Sequence, residues 1–248
     1  MRLPRLLLTL LILGLLAFTA AVLLAPEGFR REMLLWRMEK LDEDLYARPD
    51  LPQDDRRELR AVLIDAIARA EAATGEPLTL PRMVYADTPA LKDSFAVGNP
   101  FANSVFHGDG VLAVIGPRGL SVDVVAHLLL HAEVKARLGE EAFALLPSWY
   151  DEGLCAQVDD RAFLDEAALA ALPPPTRPFA ATDRPGPERF QGREGETQLA
   201  LAKRQHQAWM EGRKPYAGWR LLDRLAAGGD FTELYSSGPA KRSEAAAD

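Results

Sequence analysis

Val122-Asp123-Val124-Val125-Ala126-His127-Leu128-Leu129-Leu130-His131-Ala132-Glu133-Val134 is the stretch that decides the fold of this 248-residue chain. It is apolar nearly all round, which marks a helix at the centre of a core. Ser121 precedes it as a candidate N-cap and Gly139 follows as a stop, so the spacing predicts a helix over about 122–138. His127 and His131 are four residues apart and share one face, where both imidazoles can reach a single metal ion. Two core histidines satisfied by hydrogen bonds would show the same spacing, so the pair alone decides nothing.

Working outward, residues 82–86, 104–107 and 111–115 have the length and the β-branched or aromatic content of strands. Gly108-Asp109-Gly110 between the last two is a hairpin signal. Residues 29–47 carry Met33, Leu34, Trp36, Met38 and Leu41 at helical spacing, and 54–74 carry Leu59, Val62, Leu63, Ile64 and Ile67. The Pro-rich turn at 48–52 between them predicts a helical hairpin over 29–76. A short helix near 141–145, a second at 149–158, and helices at 197–211 and 217–227 follow, with a last short element at 231–235. Residues 173–195 are rich in Pro, Gly and Arg and read as an exposed loop, and the chain past 236 reads as a frayed tail. The expected class is α+β, a mainly helical domain over 29–236 with a small antiparallel sheet and a metal-site core at 80–160.

The N-terminus sets the compartment. Arg2 and Arg5 precede an uncharged, apolar run from Leu6 to Ala25. Twenty residues of helix reach about 30 Å, the hydrocarbon thickness of a bilayer. Residues 1–28 are therefore expected to anchor the chain in a membrane through one transmembrane helix, with the body outside the cytoplasm, periplasmic in a Gram-negative host. A cleaved signal peptide, leaving a secreted domain, is the alternative. The single cysteine, Cys155, excludes an intramolecular disulfide. A net charge of −7 without a cluster of Lys and Arg excludes a nucleic-acid partner.

Downstream of the histidines, Trp149, Glu152 and Gly153 form a W-x-x-E-G pattern, with Glu152 21 positions after His131. Together with the H-x-x-x-H pair this resembles the gluzincin zinc metallopeptidases, whose signature is H-E-x-x-H followed by a Glu on the next helix. The resemblance covers about residues 82–159 and implies His127, His131 and Glu152 as ligands of a zinc ion. It also implies a peptide or protein as partner, with the strand at 111–115 as an edge to pair with it. One position departs from the pattern. The Glu that takes a proton from the attacking water in that family is replaced by Leu128, which can neither accept nor donate one.

Asp151 and Glu133 are candidates to support the ligands from behind, the alternative for each being a carboxylate at the surface. His206, Tyr216 and Tyr235 are candidates for the hydrogen bond that gluzincins direct at the transition state. His107 and Cys155 read as structural. The expected function is a membrane-anchored zinc-metallopeptidase-like protein with impaired catalysis, acting as a binding or scaffolding module. An active peptidase using another base, and a helical membrane protein with no metal site, are the alternatives.

Overall fold

A computed structural model describes residues 12, 27–95, 99, 101–173, 179–183, 190 and 192–237. The expected anchor at 6–25 lies outside these apart from Ile12, as does the tail from 238. Among the described residues no helix is long and apolar enough to cross a membrane.

The chain is mixed α and β. Helix α1 (Glu27–Leu35) leads into a hairpin of β1 (Glu39–Asp42) and β2 (Leu45–Ala47). Helix α2 (Gln53–Thr74), strand β3 (Arg82–Tyr85) and helix α3 (Pro89–Ser94) follow, then the hairpin β4 (Ala102–His107) and β5 (Gly110–Ile115). The remaining described elements are helical: α4 (Val122–Phe143), α5 (Ser148–Cys155), α6 (Glu166–Ala171), α7 (Gly192–Met210), α8 (Ala217–Ala226) and α9 (Phe231–Ser236), with 3₁₀ turns at Ala156–Val158 and Ala162–Leu164.

The five strands lie in the order β1-β2-β3-β5-β4. The outer pairs are antiparallel, whereas β2–β3 and β3–β5 are parallel. The sheet is thus mixed, not the small antiparallel sheet expected. The side-chain period of two divides it cleanly. Leu45, Met83, Tyr85, Ala113 and Ile115 face the large core under α2 and α4. Tyr46, Val84, Leu112 and Val114 face a smaller core closed by Leu34 and Leu35 of α1, Leu91 of α3, and Phe95.

Three further expectations are corrected here. The helical hairpin over 29–76 does not exist, because the helix ends at Leu35 and residues 39–47 join the sheet. Local spacing favoured helix, but the parallel register of Leu45 with Met83 recruits β2 from far away in sequence. The strand at 111–115 is not an edge. It lies between β3 and β4, so β4 forms the outer strand on that side. The loop over 173–195 is also shorter than expected, since α7 already begins at Gly192; residues 174–178 and 184–189 lie outside the described residues.

Local chemistry sets the two helices that matter most. Ser121 caps α4 by accepting the Val124 N–H on its hydroxyl. Gly139, at φ 66°, breaks that helix where an L side chain would be strained. Helix α5 starts at Ser148, immediately after Pro147, and lies between α4 and α7. A Cβ on Gly153 would sit 2.5 Å from the Ala202 carbonyl, so only glycine lets α5 and α7 approach this closely. Trp149 anchors the start of α5. It is buried, donates its indole N–H to the Ala180 carbonyl at 3.1 Å and stacks on Phe179.

Candidate metal centre

Helix α4 presents His127 and His131 on one face, and α5 brings Glu152 to them. The two Nε2 atoms are 3.0 Å apart, and each is 3.5 Å from Oε2 of Glu152. The circle through these three atoms has a radius of about 1.9 Å (from sides of 3.0, 3.5 and 3.5 Å), just inside the ~2.0–2.2 Å reach of imidazole and carboxylate metal bonds. One ion can therefore bond to all three. The side chains of His131 and Glu152 remain 15% and 19% exposed.

The outer nitrogens are also engaged. His127 Nδ1 lies 3.1 Å from Asp159 Oδ2, and His131 Nδ1 lies 2.9 Å from Asp151 Oδ2. A carboxylate only accepts, so each Nδ1 carries the proton and each Nε2 presents a lone pair inward. Two lone pairs and an anionic oxygen facing one another at this range require a cation between them, a proton or a metal ion. Asp159 is itself fully buried and fixed: the Arg161 guanidinium bonds both its oxygens, and Lys203 donates to its main-chain carbonyl at 2.8 Å.

The electrostatics follow from this packing. Burial would depress the basicity of His131, but the Asp151 carboxylate, then Cys155 and Glu152, outweigh it and hold the imidazole well above its ordinary pKa. When a proton rather than a metal ion lies among these atoms, burial alone would raise Glu152, yet the charge then carried by His131 and the hydrogen bonding shared with the two histidines keep it below the usual carboxylate range. Asp159 is likewise held low against its burial by His127 and Arg161. Cys155 lies beside this network with its Sγ 3.6 Å from Asp151 Oδ1, and burial pushes its thiol up to about 12. Among the described residues, His131, Asp151 and Cys155 form a second group that could hold an ion.

Leu128, one residue on from His127, is buried in the large core. Residue 128 therefore offers no group that takes or gives a proton. The site's three carboxylates are all committed, Glu152 to the inner nitrogens and Asp151 and Asp159 to the outer ones.

The remaining candidates lie elsewhere. Glu133 is buried rather than on the surface and turns away from the ligands, taking Arg137 Nε at 2.6 Å and the Thr79 N–H at 2.9 Å. It braces α4 against the segment before β3 instead of supporting a histidine. His206 packs edge-on to Tyr150 and against Gly218, and burial lowers its pKa to about 3. Tyr216 caps α8 at positive φ with its ring over Gly75. Tyr235 sits in an aromatic cluster with Trp149, Trp209 and Phe231, and bonds Gln205. Among the described residues, none of the three shows a hydrogen bond to His127, His131 or Glu152. His107, on β4, bonds Glu32 of α1.

Asp159 is the residue that sequence reasoning missed. It lies 32 positions from its partner, beyond the end of α5, and nothing local distinguishes it from the adjacent Asp160. The only available signal was chemical: a ligating imidazole needs an acceptor behind it. No protein-family model, curated protein or solved structure matches the chain.

Proposed function

We propose that this chain is a gluzincin-like zinc-binding protein with impaired hydrolytic chemistry, anchored in a membrane through residues 6–25 and acting outside the cytoplasm as a binding or scaffolding module for a peptide or protein. The convergence of His127, His131 and Glu152, with Leu128 beside them, carries this reading. Two imidazole nitrogens and one carboxylate suit zinc, whereas calcium and magnesium favour all-oxygen shells. Zinc held there would act as a Lewis acid on a substrate oxygen.

The chain's own residues supply the rest. Asp159 and Asp151 fix the tautomers of the two histidines, and Glu152 lends negative charge. Nothing at position 128 takes a proton from an attacking water or returns it to a leaving amine. Loss of such a group costs about 10²–10⁴ in rate. Binding is unaffected by that loss, because residue 128 is not a ligand.

The test is peptide-library cleavage by the zinc-loaded full-length protein beside Leu128→Glu and His131→Ala. The expected result is no cleavage by the native chain, with activity appearing in Leu128→Glu. Robust cleavage by the native chain that His131→Ala abolishes would replace this reading with an active hydrolase using another base.

A further inference from the structure

We infer that the exposed face of α1 is a membrane-contact surface, lying in the headgroup layer of an anionic bilayer and fixing the domain's orientation on it. This rests on the proposed anchor and deepens it. At about 100° per residue, Phe29, Met33 and Trp36 fall on one side of α1, with Arg30 and Arg37 beside them. The helical bonding continues through Trp36, whose N–H donates to the Glu32 carbonyl at 3.0 Å.

Phe29 and Trp36 are 51% and 79% exposed, and Trp36 is the most exposed large apolar side chain among the described residues. Arg30 and Arg37 are exposed too, and among the described residues neither is within salt-bridge distance of a carboxylate. Two aromatic rings flanked by two free guanidiniums match the water–bilayer boundary, where Trp sits at headgroup level and Arg meets lipid phosphate.

Position along the chain selects lipid over a protein partner. The apolar run of residues 6–25 ends two positions before Glu27, where α1 begins, so α1 is the described element nearest the proposed anchor along the chain.

The opposite face is bolted to the body: Arg31 Nε donates to the Phe95 carbonyl at 3.1 Å, and Leu35 is buried in the smaller core. Glu32, on the flank of the exposed face, is tied back to the body by Arg82 and His107. An α1 seated in the headgroups would therefore carry the whole domain with it as a rigid unit.

The test is tryptophan fluorescence of the full-length protein in vesicles of phosphatidylcholine and phosphatidylglycerol, quenched either by lipids brominated near the headgroup or by aqueous acrylamide, with Trp36→Phe as the control. Trp149 and Trp219 are buried and Trp209 is half-buried, so the exposed signal belongs mainly to Trp36. The inference expects brominated lipid to quench the native protein, and Trp36→Phe to remove that quenching. Quenching by acrylamide alone, or protection from both quenchers, in protein that still floats with the vesicles would overturn it while leaving the anchor intact. Protein that fails to float would overturn both.

Discussion

Replacing Asp159 by Asn tests the proposed zinc site without touching a ligand. The carboxylate is fully buried and accepts the Nδ1 proton of His127 at 3.1 Å. Asn keeps its size but has one acceptor oxygen where Asp has two; with that oxygen held by the Arg161 N–H groups, its NH2 faces Nδ1, and the imidazole meets that donor by moving its proton to Nε2, the atom that must bind the ion. Changes of this kind typically cost about 10–100-fold in metal affinity, or ~1.4–2.7 kcal/mol. The same change removes the charge paired with Arg161, but its side chain is 29% exposed and can rehydrate, so the stability loss should stay below the ~3–5 kcal/mol of breaking a fully buried ion pair. The assay is competitive zinc titration against a chelating dye, with circular dichroism to establish folding. Asp160→Asn serves as the control, because Asp160 is 76% exposed and faces Arg69 instead. Native zinc affinity in a folded Asp159→Asn protein would refute the role assigned to the carboxylate.

Two further predictions concern the frame around the site. Gly153→Ala places a methyl group 2.5 Å from the Ala202 carbonyl, so α5 must move off α7. Thermal denaturation should show a loss of about 1–3 kcal/mol, and zinc titration a weaker site, because Glu152 moves with α5; an unchanged Tm would contradict the close approach. His206, buried neutral with its pKa lowered to about 3, should make the protein acid-sensitive. Below about pH 6.5 the unfolded chain binds a proton that the folded chain refuses down to about pH 3, so stability falls across that window by roughly 1.4 kcal/mol per pH unit. In His206→Leu that contribution should vanish while stability at pH 7 is held or raised, since the unpaired Nδ1 is removed. Urea unfolding at pH 7 and pH 4.5 reads it, and an unchanged pH slope in the variant would refute the assignment.

The elements around the site were legible because their signals are local. Ser121, the apolar run behind it and Gly139 mark out α4, and the glycines at 108 and 110 mark the β4–β5 hairpin. Trp149 and Gly153 flagged α5 for reasons the packing explains, one as an anchor and the other as a close-approach point. Residues 39–47 differ from the helix expected because β2 pairs with β3, some 40 positions on, and β1 in turn pairs with β2. The same pairing makes the sheet mixed. Leu34, Leu35 and Met38 do pack on one core, so the helical spacing was real but ended sooner than expected. Glu133 and Asp159 carried no local mark. Whether such a carboxylate meets Arg137 or His127 depends on tertiary neighbours, and a single sequence does not reveal those.

X-ray absorption at the zinc edge, on full-length protein loaded with one equivalent of zinc, tests the central claim most directly. The account predicts uptake of one ion per chain with two imidazoles and light oxygen donors in its shell, at about 2.0–2.2 Å and without sulfur. His131→Ala should lose the ion. A zinc–sulfur distance near 2.3 Å would assign the ion to His131, Asp151 and Cys155 instead, and a folded protein that takes up no zinc would contradict the account altogether.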